Sequence, residues 1–193
     1  MTTSSTSKKE SSNLTSTSTS SSSSDSKKDD KSKSTTSQQA GVSREFRNAL
    51  QTAQDYLEGQ SFSKQGLYDQ LTSEYGEKFP KEAAQYAIDN VVADWKENAL
   101  SKANSYANEQ YMSKKSVYEQ LISEYGEQFT KEEADYAISK VEANWKDNAL
   151  KKAISYQQDM NMSRKSVYNQ LVSEYGEKFT KEEADYALEN LPK

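Results

Sequence analysis

The sequence has no cysteine and no histidine, and it has only two prolines and six glycines among 193 residues. Without cysteine the chain cannot form a disulfide or use a thiol nucleophile, and without histidine the usual zinc and haem ligand sets are also excluded. No apolar run approaches the roughly 20 residues that a membrane-spanning helix needs, and no signal-peptide core is present. We therefore expect no enzyme, no metal site and no cofactor.

The first 40 residues differ in composition from the rest of the chain. More than half of them are Ser or Thr, and the only large apolar residues among them are Met1 and Leu14. Such a segment cannot bury enough apolar surface to offset the entropy lost on ordering it. We therefore predict a disordered Ser/Thr-rich tether over residues 1–42, followed by a folded part of about 150 residues.

The folded part contains a segment that occurs three times with a period of 50 residues. The middle copy runs from Met112 to Ile138, the third from Met162 to Leu188, and a looser first copy from Phe62 to Ile88. A fixed period of this size is typical of a helical repeat array. We predict an all-α fold of three tandem helix–turn–helix repeats. The repeats cover residues 43–97, 98–147 and 148–193.

Capping residues mark the two helices of each copy. Ser113 can accept a hydrogen bond from the free amides of the first helix, and Thr130 with Glu133 can form a capping box at the start of the second. Gly126 stands between them, where we expect a helix C-terminus that needs a left-handed residue. The first copy differs because Pro80 replaces the threonine and the capping glutamate is missing, so we expect no reciprocal cap there.

The connection between repeats has two interpretations. The apolar spacing continues without Gly or Pro through Trp95 and Trp145, which predicts that the last helix of one repeat runs into the first helix of the next, over roughly 40 Å. A break near Asn98 and Asn148 is the alternative, since Asn is a fair capping residue. The predicted fold has long joining helices, and we expect the two tryptophans to pack between repeats.

Most of the 13 tyrosines recur in register between the copies. Those on apolar faces are predicted to pack in the core with the hydroxyl group at the surface, and Tyr125 is assigned to the apolar stripe of the first helix. Tyr86 and Tyr136 lie off the apolar stripe of the second helix. Packing against a neighbouring helix is favoured for these two, and a binding contact is the alternative.

Acidic side chains cluster at the corners of the repeats, and they are the candidate partner-binding residues. The helix dipole accounts for carboxylates in a first helical turn but not for Glu74 and Glu77. For any single residue a solvated acidic surface is an equally good explanation. Because these carboxylates would repel phosphates, the pattern argues against nucleic-acid binding. The candidate contacts are Glu74, Glu77, Glu124, Glu127, Glu132, Glu133 and Asp135, with Tyr86 and Tyr136 as aromatic anchors.

Four spaced elements together resemble the Ltp family, which comprises host cell surface-exposed lipoproteins of Gram-positive bacteria and their temperate phages. The elements recur between Asn48 and Leu191. They are Ala-Leu-x-x-Ala-x-x-Tyr, Met-Ser-Lys-Lys-Ser-Val-Tyr-x-Gln-Leu, Glu-Glu-Ala-Asp-Tyr-Ala-Ile and Trp-Lys-x-Asn-Ala-Leu. The Ser/Thr-rich leader is similar to the spacer that such lipoproteins carry between their lipid anchor and their repeats.

This resemblance implies a cell-surface binding module for superinfection exclusion, which blocks injection of phage DNA. The implied partner is the phage tail tape-measure protein or another protein of the injection machinery, and the acidic surface favours a basic segment of it. The sequence lacks the signal peptide and lipidated cysteine of the family, so we expect a mature ectodomain, soluble as given, whose anchor lies outside this chain. A passive cell-wall or adhesion repeat protein is the alternative.

Overall fold

The computed structural model describes residues 42–192, and the regular structure within this range is entirely helical. The predicted all-α fold is therefore confirmed for these residues, whereas the predicted tether falls outside them except for Val42. None of the helices in this range is long and apolar enough to cross a membrane. In chain order the helices are α1 (Arg44–Gly59), α2 (Lys64–Thr72), α3 (Lys81–Asn90), α4 (Trp95–Asn108), α5 (Lys114–Ile122), α6 (Lys131–Lys140), α7 (Trp145–Gln158), α8 (Arg164–Val172) and α9 (Lys181–Asn190).

The helices form three units of three, and each unit has a small core of its own. The most extensive helix contacts are those between the first and third helices of a unit, namely α1 with α3, α4 with α6 and α7 with α9. In the first unit, Ala49 and Ala53 of α1 are buried together with Ala87 of α3, and Leu67 and Leu71 of α2 complete the core. Burial of each leucine contributes about 1.5–3 kcal/mol, so α2 is an integral part of the unit.

The predicted helix caps are confirmed. The Ser113 side chain accepts a hydrogen bond from the Ser116 amide at 3.1 Å. Thr130 and Glu133 form the reciprocal capping box, with the Glu133 amide donating at 3.2 Å and the Thr130 amide donating at 2.9 Å. Pro80 occupies the corresponding position before α3 and makes no side-chain cap. The first repeat therefore lacks both bonds at this corner.

The predicted long joining helices are wrong. Helix α3 ends at Asn90, Val91 is extended, and α4 begins at Trp95. The Asp94 carboxylate accepts hydrogen bonds from two amides in the first turn of α4, both at 3.1 Å. In a continuous helix those amides would bond to carbonyls four residues earlier. Asn144 caps α7 at the next connection. Trp95 packs against the core of the preceding unit, and its counterpart in α7 does the same, which confirms the predicted packing between repeats.

The alternative, a break near Asn98 and Asn148, is confirmed as a break, but the new helices begin three residues earlier and neither asparagine is the cap. The side chains of these asparagines instead tie one unit to the next. Asn98 lies inside α4, and its amide group donates to the Phe62 carbonyl of the preceding unit at 2.9 Å. Asn148 in α7 donates to the carbonyls of Ala107 at 2.7 Å and Met112 at 3.2 Å. These bonds satisfy backbone acceptors that the boundary between units would otherwise leave unpaired.

Gly126 does not adopt the left-handed conformation predicted for it. No glycine in residues 42–192 has a positive φ, and the left-handed residue of this corner is Gln128, with φ of 58°. Gly126 is needed for a different reason, because a Cβ atom there would lie 2.4 Å from the Gln120 carbonyl oxygen. That oxygen accepts the Glu127 amide at 3.1 Å, which holds the two stretches of backbone together.

Candidate partner-binding corners

Each unit has a corner turn between its second and third helices, comprising residues 73–80, 123–130 and 173–180. The turn begins with a serine whose side chain accepts the amide two residues later, as Ser123 does from Tyr125 at 3.2 Å. It closes with a backbone bond to the preceding helix, from the Phe129 amide to the Leu121 carbonyl at 2.8 Å. These bonds fix the corner turns as ordered structures, and all seven predicted acidic contacts lie in them or in the helix that follows.

The last glutamate of each corner turn accepts a hydrogen bond from a tyrosine of the unit's first helix. The Tyr56 hydroxyl donates to Glu77 at 2.6 Å, and Tyr106 donates to Glu127. The same bond recurs in the third unit. Burial, followed by this hydrogen bond to a carboxylate, raises the pKa of Tyr106 to about 12. The tyrosine therefore remains a hydrogen-bond donor across the physiological pH range.

A lysine reinforces this contact in two of the three units. Lys102 lies 3.2 Å from Glu127, whose side chain is only 18% exposed. Thr52 stands at the equivalent position of the first unit, so Glu77 has the tyrosine bond but no such lysine, and it is exposed. The helix dipole does not account for Glu77, but this contact does, because Glu77 and Glu127 both join the corner turn to the first helix.

The acidic residues at the start of α6 differ in their surroundings. Glu133 is half-buried and holds the capping box with Thr130. Glu132 and Asp135 are exposed. Burial, followed by the Asp135 charge, raises the pKa of the neighbouring Tyr118. Of the three carboxylates, Glu132 and Asp135 therefore present their charge to solvent, whereas Glu133 stabilises the helix end.

Tyr86 and Tyr136, the predicted aromatic anchors, are half-buried and pack inside their units. The Tyr86 ring lies 5.3 Å from the Phe46 ring, centroid to centroid. The Tyr136 hydroxyl donates to Glu97 at 2.5 Å, and the Lys96 ammonium lies 5.7 Å from the centre of the same ring. Both residues join the third helix of a unit to its first helix, which is the packing role that we favoured.

The first glutamate of each corner turn, Glu74, Glu124 or Glu174, is exposed. Glu174 forms an ion pair with Lys115 of the preceding unit at 2.5 Å, and this hydrogen-bonded lysine lowers the pKa of the carboxyl group. Gln65 stands at the position of Lys115 in the first unit, so Glu124 has no lysine at that position to pair with. Glu74 and Glu124 therefore present their charges more openly than Glu174 does.

The tyrosines next to these glutamates are fully exposed, although they were not among the predicted contacts. Tyr75, Tyr125 and Tyr175 have relative exposures of 101%, 101% and 102%. The assignment of Tyr125 to the apolar stripe is wrong, because α5 ends at Ile122 and the tyrosine lies in the turn beyond it. The signal in the sequence was Ser123, which ends the helix three residues before the glycine. Each corner turn thus presents an adjacent glutamate and tyrosine to solvent.

Comparison with known proteins identifies the family. The model of the family described as "Host cell surface-exposed lipoprotein" (Lipoprotein_Ltp) matches residues 44–91, 94–141 and 144–191. The chain belongs to this family. In each matched segment the family repeat contains one complete three-helix unit, α1–α3, α4–α6 or α7–α9.

A solved structure also matches, that of Ltp, a superinfection exclusion protein from the Streptococcus thermophilus temperate phage TP-J34. It is 35% identical in sequence, covers 53% of this chain and 100% of its own chain, and gives a TM-score of 0.48. Comparison with curated proteins gave no match.

Proposed function

We propose that this lipoprotein-family chain acts in superinfection exclusion, by binding a protein of the phage injection machinery and thereby blocking injection of phage DNA. Membership of a family of host cell surface-exposed lipoproteins supports the location, which is the outer face of the cell membrane. The proposed partner is the tail tape-measure protein or another injection protein. The action is binding without catalysis.

The observation that carries the proposal is the exposed acidic and aromatic surface of the first two units. Glu74 with Tyr75, and Glu124 with Tyr125, combine an open carboxylate with a fully exposed ring. An aromatic side chain supplies contact area at an interface, while carboxylates attract a basic segment and orient it. The partner segment should therefore be rich in Lys or Arg, and its binding should weaken as the salt concentration rises.

The structure changes which of the predicted contacts make good targets for mutation. Glu127 and Glu133 are engaged within the second unit, so reversing their charge would damage the fold as well as the surface. Three exposed carboxylates of the same unit are better targets, because they take no part in the capping box or in the tyrosine–lysine contact of Glu127. They are Glu124, Glu132 and Asp135.

The test is a variant with all three of these carboxylates changed to lysine, displayed on phage-sensitive cells. Wild-type protein should leave phage adsorption unchanged and block DNA entry, whereas the variant should lose the block. With a peptide carrying the basic segment, the variant should bind roughly tenfold more weakly or worse, because three favourable charge contacts become repulsive.

A matched control places three lysines at Glu58, Glu142 and Glu189, which are exposed and lie outside the corner turns. This control has the same net charge as the variant, and it should protect as wild type does. Equal protection by the variant and the wild type would show that the three carboxylates are only solvated surface. Wild-type protein that blocks adsorption itself would contradict the proposed function. Wild-type protein that gives no protection, as expected of a passive cell-wall protein, would contradict it too.

A further inference from the structure

The boundary between the first and second units is built from contacts that lie far apart in the sequence. The Gln128 side chain, in the second unit's corner turn, donates to Asp69 of α2 at 2.9 Å. Gly66 lies under the same turn, since a Cβ atom there would be 3.6 Å from the Glu127 carbonyl oxygen. We call this arrangement, in which a corner turn packs on the start of the preceding unit's second helix, a repeat junction.

The second and third units form the same junction. Ser113 and Ser116, at the start of α5, donate to the Glu177 carbonyl at 2.6 and 2.9 Å. Lys178 pairs with Glu119 of the same helix. These hydroxyl bonds satisfy a carbonyl group of the third unit's corner turn, and the lysine pair adds a charge contact at its rim.

The two junctions are geometrically equivalent. The bonds of Gln128 to Asp69 and of Lys178 to Glu119 each join residues that are 59 positions apart. The asparagine bonds to Phe62 and Met112 each span 36 positions. Both junctions leave a crevice of about 270 Å³ between the turn and the helix. The chain therefore stacks its units by one repeated operation.

The third unit carries one half of a junction that nothing covers within residues 42–192. Ser163 and Ser166 at the start of α8 are exposed, whereas the equivalent Ser63 and Ser113 are 1% exposed beneath a neighbouring corner turn. Lys165 in the same turn of the helix is also exposed. The backbone of this helix start matches its counterparts, because Ser163 caps it through the Ser166 amide at 3.2 Å.

The first unit carries the complementary half. Its corner turn has the junction-forming backbone, with φ of 57° at Lys78 against 58° at Gln128 and 59° at Lys178. Lys78 and Glu77 are exposed. Asn48 is exposed as well, although its counterpart Asn148 is 4% exposed and bonded across a junction.

We propose that the corner turn of the first unit in one molecule docks on the start of α8 in a second copy of this chain, forming a third repeat junction between molecules. Ser163 and Ser166 then donate to the Glu77 carbonyl, and Lys165 pairs with Glu74 as Lys115 pairs with Glu174. Two further contacts correspond to bonds at the junctions within the chain. Lys78 meets Asn169 as Lys178 meets Glu119, and Asn48 meets the Met162 carbonyl as Asn148 meets the Met112 carbonyl.

The contact uses the corner turn of the first unit in one molecule and the start of α8 in the other. However many copies have joined, one corner turn and one α8 start therefore remain uncovered at the two ends of the assembly. Association therefore builds chains of molecules and does not stop at a symmetric dimer. Within one molecule a linker of four residues holds neighbouring units at an effective concentration on the order of 1 mM. Between molecules that linker is missing, so association should be weaker than the contact within one chain and should rise with the protein concentration.

The test is sedimentation velocity on the purified full chain, between about 0.01 and 1 mM. The weight-average mass of wild type should rise with concentration. Lys165→Glu and Glu74→Lys should each weaken association roughly threefold to tenfold, because each replaces an attraction by a repulsion. An equimolar mixture of the two variants should regain chain growth with the two proteins alternating, because both contacts between unlike molecules then pair a glutamate with a lysine. The double variant should regain wild-type chain growth.

Two further variants separate the junction from general effects. Lys140→Glu changes the net charge as Lys165→Glu does, at an exposed site outside the junctions, and it should associate as wild type does. Ser166→Tyr should keep the wild-type helical content, since this side chain is exposed, and should abolish association by filling the contact. A wild type that stays monomeric at about 1 mM, or a mixture of charge variants no better than either alone, overturns the proposal. Since no phage component is used, either result is independent of the proposed function.

Discussion

Changing Gly126 to alanine tests the contact that shapes the corner turn. The new Cβ atom would lie 2.4 Å from the Gln120 carbonyl oxygen, whereas non-bonded carbon and oxygen atoms ordinarily lie at least about 3.3 Å apart. The turn must therefore move away by nearly 1 Å. That movement strains the bond between the same oxygen and the Glu127 amide, now 3.1 Å long. Overpacking costs about 1–3 kcal/mol, and part of a hydrogen bond is lost as well. We therefore expect the free energy of unfolding to fall by roughly 2 kcal/mol.

The measurement is the free energy of unfolding from urea melts followed by circular dichroism, with Gly59→Ala as the matched control. Gly59 ends α1, and a Cβ atom there would meet nothing within 4 Å. Alanine at that position should stabilise the protein by about 0.4–1 kcal/mol, through lower entropy of the unfolded chain. Gly76 and Gly176 make still closer approaches, of 2.1 and 2.3 Å, and should be at least as sensitive as Gly126. A Gly126→Ala variant as stable as wild type would refute the reasoning.

Two further predictions concern the helix caps and the tyrosine–glutamate contact. Thr130→Ala should cost about 1 kcal/mol in urea melts, whereas Pro80→Ala should show no capping loss, and equal costs would contradict the difference seen between the two corners. The pKa of Tyr106 is about 12 in the folded protein and about 10 in the unfolded chain. The stability that the protonated Tyr106 contributes is therefore complete below pH 10 and is lost as the pH rises to about 12. Over that range the free energy of unfolding should fall less steeply for Tyr106→Phe than for wild type, and equal slopes would argue against the raised pKa.

Local sequence signals were sufficient for the starts of the second and third helices of each unit and for the repeat. Ser113, Thr130 and Glu133 bond to amides within three residues of themselves, so their roles can be predicted without knowing any other part of the chain. The all-α class follows from the same kind of signal, repeated three times. Recognition of the family also rested on spaced elements of the sequence alone, and the match over residues 44–191 supports it.

The errors came from patterns that two structures satisfy equally well. The apolar spacing through Val91 and Trp95 is the same whether the helix continues or ends. The two hydrogen bonds that the first amides of α4 donate to Asp94 show that a new helix begins there. Tyr125 keeps helical spacing relative to Leu121, but the chain has already left the helix at Ser123. Spacing alone cannot show where a helix stops, so the fully exposed tyrosines could not be recognised as such.

The sequence by itself determined what depends on neighbours a few residues away, namely the starts of the second and third helices of each unit and the period that stacks the units, within residues 42–192. Only the tertiary structure decided which carboxylates remain available. Glu124 and Glu127 stand three residues apart in one acidic run, yet the former is exposed and the latter is held by Tyr106 and Lys102 from another helix. That difference depends on contacts across more than 20 positions of sequence, and such contacts exist only once the helices have packed.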